Sequence, residues 1–180
     1  MAEPGAVLLV PVAGGVVFAT LLAAGTHHLA RPGRLAGAVA ERGRPPVPSR
    51  VVAGVLAVAE TLIGLAGLVA VVVGPADARV SAAAAGLCAV FAVDAARVLR
   101  SGAAVRCGCG ATDHPVNQWV AVRAASYVGL AVVAALPAPP LQVLDPLPAL
   151  TVVVAVATVG PLLWWLPRTL AVPAGFGLRS

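Results

Sequence analysis

"VVAGVLAVAETLIGLAGLVAVVV", residues 51–73, is a hydrophobic stretch that carries a single charged side chain, Glu60. About 20 apolar residues in a helix cross the hydrocarbon layer of a bilayer. The stretch therefore predicts a transmembrane helix. Glu60 lies ten residues after Arg50, which places it roughly 15 Å along the helix, inside the membrane.

The rest of the chain has the same character. Of its 180 residues, 60% are hydrophobic and 11% are charged, whereas soluble domains carry about 25% charged residues. We expect one all-α membrane domain over residues 1–180, a helical bundle with a four-helix core and a fifth C-terminal transmembrane helix. The expected spans are residues 5–29, 51–73, 80–99, 119–136 and 147–166. The first is too long for a signal peptide and has only Glu3 before it, so it is expected to stay as a membrane helix.

The positive charges of the chain are all arginines, and they fall mainly on one side of this five-span arrangement. The net charge is +5, from 12 basic and 7 acidic residues. Eleven arginines share one side, and Arg79 alone falls on the other: Arg31, Arg34, Arg42, Arg44, Arg50, Arg97, Arg100, Arg106, Arg123, Arg168 and Arg179. The positive-inside rule makes that side cytoplasmic. We expect a multi-pass plasma-membrane protein with its N-terminus outside, and the basic charge indicates orientation in lipid rather than nucleic-acid binding.

A polar segment rich in Arg, Pro and Gly, residues 30–50, follows the first span. Its middle, "LAGAVAERG", residues 35–43, favours a short helix lying at the membrane interface and ending at Gly43.

Two of the three cysteines lie in a second polar loop, "VRCGCGATDHPVNQW", residues 105–119. A disulfide between Cys107 and Cys109 would close a small ring with distorted geometry, and strained disulfides suit exchange rather than stapling. Arg106 and His114 would favour the thiolate. The pair is therefore a candidate redox site in a loop that the arginines place on the cytoplasmic side, where thiols are usually kept reduced.

The cysteine loop has two other interpretations. Cys107 and Cys109 could be unrelated thiols in a loop. With His114 they could instead offer two sulfurs and an imidazole to zinc or copper, with no obvious fourth ligand. Cys88, within the third span, is expected to be a small packing residue.

Charged residues inside the predicted spans form a second set of candidates. Glu60, Asp94 and Arg97 fall in the cytoplasmic half, and Arg123 lies one turn into the fourth helix. Unpaired charges in lipid cost several kcal/mol, so these groups should face one another or a wet cavity beneath the cysteine loop. They could support thiol chemistry, or they could be structural ion pairs that fix helix register.

The order of these features resembles the MauE/DoxX-like, redox-associated membrane proteins. The residues that carry the resemblance are a membrane Glu in "AETLIGLAGL", an Arg late in the next helix, "RCGCG", and "PVNQWVAVR" at the head of another helix. The matching positions are Glu60, Arg97, Cys107, Cys109, Pro115, Val116, Trp119 and Arg123. The phenylalanine that follows the second cysteine in that family is replaced here by Gly110 and Ala111.

The resemblance implies thiol–disulfide chemistry at Cys107 and Cys109, of an oxidoreductase-like kind. It implies a thioredoxin-like protein or a disulfide-containing client as partner, in the manner of methylamine dehydrogenase maturation. No cofactor is evident, although a quinone is a conceivable acceptor in the lipid phase. The rival interpretation is a non-catalytic membrane scaffold or a carrier of small solutes.

Overall fold

The computed structural model describes residues 4–43, 47–73, 78–108, 115–137 and 146–169. Those residues form six α-helices and, apart from one isolated β-bridge, no β-structure. The helices are α1 (Pro4–Ala30), α2 (Pro32–Glu41), α3 (Ser49–Val73), α4 (Ala78–Ser101), α5 (Gln118–Ala134) and α6 (Pro146–Thr169). The predicted all-α bundle is confirmed.

Four helices are long and apolar enough to cross a membrane: Leu8–Ala30, Ser49–Val73, Ala78–Ser101 and Pro146–Trp165. The fifth apolar helix, α5, has 17 residues, or about 25 Å, somewhat short of a hydrocarbon layer of about 30 Å. Each expected span corresponds to one of these helices, and the protein is a multi-pass membrane protein.

Helix α1 is the centre of the bundle. It packs mainly against α3, and also against α5 and α6. Its buried side chains include Val16, Val17 and Phe18, three consecutive positions that point in different directions around the helix. The first hydrophobic run is therefore an integral part of the fold.

Small residues allow α1 and α3 to approach closely. A Cβ atom at Gly64 would lie 2.5 Å from the backbone nitrogen of Leu22, and one at Gly25 would lie 2.6 Å from the backbone nitrogen of Thr61. Gly67 faces the ring of Phe18 in the same way. These contacts agree with the use of small residues at helix interfaces in lipid. Gly54, on the same helix, touches nothing within 4 Å.

Helix α2 lies across one end of the bundle and packs on α3 through Leu35, Ala36 and Ala53. Pro32 lies in its first turn and has no backbone N–H. The N–H groups of a first turn have no acceptor within the helix, so proline costs nothing at this position. Gly43 follows its last turn with φ of +74°, the left-handed conformation that glycine adopts most readily. The expected interfacial helix therefore forms, and it begins three residues earlier than its apolar core suggested.

Helices α4 and α5 form the second closely packed pair. Ser81 donates a buried hydrogen bond of 3.2 Å to the carbonyl oxygen of Ala134. By contrast, α3 and α4 touch each other over much less of their length than the α1–α3 and α4–α5 pairs do. Residues of both α3 and α4 line a cavity within the bundle.

Candidate functional site

The cysteine loop is closed at its base by backbone pairing. Arg106 and Pro115 form an isolated antiparallel bridge, and the Val116 N–H donates a hydrogen bond of 2.9 Å to the Val105 carbonyl. Just beyond, the Asn117 side chain accepts a 3.1 Å hydrogen bond from the Val120 N–H and caps α5. The two ends of the loop are therefore held side by side above the start of α5.

Glu41, at the end of α2, anchors this base. Its carboxylate accepts hydrogen bonds from the Arg106 backbone N–H at 3.1 Å and from the Arg106 Nε at 2.6 Å, and it pairs with the same guanidinium through Nη2. The hydrogen bonds from Arg106 hold the pKa of the Glu41 carboxyl below its usual value. The guanidinium of Arg106 is therefore paired with Glu41, and the expectation that Arg106 favours the thiolate form of a loop cysteine stays a prediction.

The first part of the loop rests directly on α2. A Cβ atom at Gly108 would lie 3.0 Å from both the Ala38 Cβ and the Leu35 Cδ1. Glycine at this position therefore allows the loop backbone to approach the helix. Its neighbour Cys107 is half-buried at this contact.

A cavity of about 320 Å³ lies beneath the loop, within the bundle. Most of its wall is aliphatic or aromatic. Its polar, charged or sulfur-bearing lining residues come from α1, α3, α4, α5 and α6, from the residue that follows α2 and from the loop: Thr20, Arg42, Glu60, Cys88, Asp94, Cys107, Arg123, Tyr127 and Trp164. Four residues predicted from the sequence, Cys107, Glu60, Asp94 and Arg123, thus face one space. The structure leaves their chemical roles as predictions.

The charged groups are paired differently from the expected cluster. Asp94 accepts a 2.7 Å hydrogen bond from the Nε of Arg42, and the Nη1 of the same guanidinium donates to the Ala38 carbonyl. Arg97 is exposed and does not line the cavity, because it lies on the outward face of α4. Arg42 therefore pairs with Asp94 in the position that the sequence suggested for Arg97, and a supporting role for Arg97 stays a prediction.

Glu60 faces a histidine that the sequence did not single out as functional. Both Glu60 and His28 are 2% exposed, and the His28 Nε2 lies 3.7 Å from the Glu60 Oε2. That distance exceeds a hydrogen bond. Neither atom has a hydrogen-bond partner within the described part of the chain. The sequence does contain a signal for this pair: a histidine lies near the end of one hydrophobic helix, and the next hydrophobic helix carries a single acidic residue.

Arg123 is positioned by the C-terminal helix. Its guanidinium donates a 3.3 Å hydrogen bond to the Trp164 carbonyl and lies 5.6 Å from the centre of the indole ring, within the range of a cation–π contact. Trp164 thereby links α5 to α6. Through Trp164, α6 becomes part of the cavity wall.

A second cavity of about 160 Å³ lies on the other side of Cys107. It is formed between α2 and the loop by residues that include Gly33, Arg34, Gly37 and Arg106. Cys107 and Gly108 line both cavities. Cys107 thus lies between the cavity inside the bundle and the cavity beside α2.

Two of the predicted site residues, Cys109 and His114, lie outside the described residues. Within the described ranges, no group of three or more His, Cys, Asp or Glu side chains is arranged to hold a metal ion. The zinc or copper alternative, which needs Cys109 and His114, stays a prediction.

Comparison with known proteins gives one result. The family model described as methylamine utilisation protein MauE matches residues 6–137, which is well over half of the chain and includes α1 to α5 and the cysteine loop. Helix α6 lies beyond the match. No curated protein and no solved structure matches the chain.

Proposed function

Because this chain belongs to the methylamine utilisation protein MauE family, we propose that it is a membrane-embedded thiol–disulfide exchange protein that acts in methylamine utilisation. Its reactive groups are Cys107 and Cys109. Its protein partner is a thioredoxin-like protein or a disulfide-containing client, which it helps to mature.

The position of Cys107 supports this proposal most directly. The residue is half-buried in the partition between two cavities, one opening beside α2 and one inside the bundle. Cys88, by contrast, is 4% exposed and lines only the inner cavity, where a protein partner has no access to it. A partner can approach Cys107 from the α2 side, while Glu41 holds the base of the cysteine loop in place.

The exchange step is balanced without another reagent. A partner thiolate attacks one sulfur of the Cys107–Cys109 disulfide, a mixed disulfide forms, and the other loop sulfur leaves as a thiolate. A second partner thiolate then displaces the loop sulfur. The partner becomes a disulfide, and the loop becomes a dithiol.

The arginine distribution supports a cytoplasmic location for the loop in the plasma membrane. The described contacts bring α2, the base of the loop and the start of α5 to one end of the bundle, the end that holds most of the arginines. A disulfide in a reducing compartment is usually transient and catalytic, which fits exchange. Thiol labelling of intact cells with a membrane-impermeant reagent tests this orientation, and labelling from outside would contradict it.

Trapping of the mixed disulfide tests the function. In cells that use methylamine, either Cys107→Ser or Cys109→Ser should accumulate a covalent adduct that dithiothreitol releases. The single remaining loop thiolate attacks the disulfide of an oxidised partner, in the reverse direction of the exchange above, and no second loop cysteine is present to displace the partner from the mixed disulfide. Cys88→Ser is the matched control and should leave the wild-type pattern unchanged. Full methylamine-dependent growth with both loop cysteines replaced would refute the proposal and favour a scaffold or carrier.

A further inference from the structure

We propose that the cavity beneath the loop is a binding site for a lipid-soluble quinone. The site itself is independent of the thiol chemistry, whereas the use of the quinone as electron acceptor rests on the function proposed above. The cavity can be entered from lipid, a polar group at its inner end lacks a hydrogen-bond partner within the described residues, and Cys107 lies in its wall.

The cavity reaches the outer surface of the bundle between α3 and α4. These two helices are in only limited contact, and the wall includes Val52 and Leu56 from α3 and Val90 from α4. Val90 is 60% exposed, so the cavity extends to the surface that faces the hydrocarbon layer. A ligand dissolved in the membrane can enter here without crossing water.

The inner end of the cavity holds Glu60. Its side chain is buried, and the Oε2 atom makes no hydrogen bond within the described residues. Leaving a buried polar group unsatisfied costs about 1–3 kcal/mol. A carboxyl group donates a hydrogen bond when neutral and accepts one when ionised. A quinone and its quinol offer the matching pair, a carbonyl that accepts and a hydroxyl that donates.

The size and composition of the cavity favour a ring with an apolar tail. Its volume of about 320 Å³ is at the lower end of small-molecule sites, about 300–1,000 Å³. The aliphatic wall and the rings of Phe91 and Tyr127 suit an aromatic-sized head, and the opening beside Val90 leaves room for a tail in lipid. A phospholipid acyl chain would fill the same space, but it would leave Glu60 without a partner.

Cys107 in the wall gives the bound quinone a chemical use. Cys107 and Cys109 each lose a thiol hydrogen, the S–S bond forms, and two electrons and two protons pass to the quinone. Each carbonyl oxygen gains one proton, and the product is a quinol. Electrons then run from the partner dithiol through the loop to the membrane quinone.

Fluorescence quenching in lipid nanodiscs tests the site. Trp119→Phe and Trp165→Phe leave Trp164, a wall residue, as the single tryptophan, and decylubiquinone is the probe. We expect saturable quenching. Glu60→Leu and Val90→Phe should weaken binding by about 10-fold or more, equivalent to about 1.4 kcal/mol, while Glu60→Gln should retain most of it. Val93→Phe, on the exposed face of α4 but outside the cavity, is the matched control and should bind normally.

Two results would overturn the proposal. Quenching that rises linearly and equally in all variants would show partition into the bilayer alone. Displacement of the probe by decane as readily as by a second quinone would show a site for an alkyl chain only.

Further measurements separate this inference from the proposed function. Trapped partner adducts without quinone binding would refute the quinone site and leave the thiol function standing. Conversely, saturable binding supports the site even if no adduct is trapped. Adding decylubiquinone to the reduced protein should produce one quinol per disulfide formed, and its absence would refute the acceptor role.

Discussion

The contact between α1 and α3 gives the most quantitative prediction, through the substitution Gly64→Ala. The new Cβ would lie 2.5 Å from the Leu22 nitrogen and 2.8 Å from the Phe18 carbonyl oxygen, both backbone atoms that cannot rotate away. Ordinary contact begins at 3.4 Å, so the helices must separate by about 0.9 Å. Overpacking of this kind costs about 1–3 kcal/mol. The better helix propensity of alanine recovers about 1 kcal/mol, so we expect a net loss of up to about 2 kcal/mol.

The control for this prediction lies on the same helix. Gly54 touches nothing within 4 Å, so Gly54→Ala should leave stability unchanged or raise it by up to about 1 kcal/mol. Reversible unfolding in mixed micelles with increasing sodium dodecyl sulfate, followed by circular dichroism, measures both variants. Equal shifts for the two alanines would refute the reasoning, because only one of them meets backbone. Glu60 is one turn from Gly64, so the first variant should also weaken quinone binding.

Three further predictions concern the ion pairs at the loop end of the bundle. Glu41→Gln should raise several-fold the rate at which Cys107, as the single cysteine, reacts with 4,4′-dithiodipyridine, since the loop loses its anchor; an unchanged rate would contradict this. Arg106 lowers the pKa of Glu41 from its usual 4.5. The contact between Glu41 and the base of the loop should therefore be complete above pH 4.5 and be lost as the pH falls through the lower pKa of the paired carboxyl. The same reagent, which reacts in acid, should then label Cys107 faster, and Glu41→Gln should abolish this pH dependence. Asp94→Asn should reduce stability by about 0.5–1 kcal/mol, the range of partly exposed ion pairs, whereas Arg97→Gln should have no effect; unfolding in mixed micelles distinguishes them.

The helices could be predicted because their signals are local. Residues 51–73 form a helix since a continuous apolar run in lipid must satisfy its backbone hydrogen bonds internally. The short helix α2 was similarly visible from its apolar core and from Gly43 at its end, although its start at Pro32 was not predicted. The close contact at Gly64 agrees with the preference for small residues between membrane helices, but the sequence does not distinguish it from Gly54, which touches nothing within 4 Å.

The partners of the charged residues could not be predicted because they depend on helix rotation and distant contacts. Asp94 and Arg97 are three residues apart, a spacing that suggests interaction along one helix face. The structure instead pairs Asp94 with Arg42, 52 residues away, and Arg106 with Glu41, 65 residues away. Both partners come from the end of α2, whose docking position the sequence does not specify. His28 was missed for the same reason, since its neighbour Glu60 belongs to another helix.

The C-terminal helix lies beyond the part of the chain that matches the family. The loop, its anchor on α2 and the acid within α3 all lie inside the stretch that matches the family, residues 6–137, while Trp164 and the rest of α6 lie beyond it. Val156 of α6 packs against Gly15 of α1, which seats the added helix on the shared framework. One wall of the cavity is therefore supplied by a helix outside the matched stretch, through Trp164. A substitution at Trp164 can alter what the cavity accepts without changing the cysteine loop.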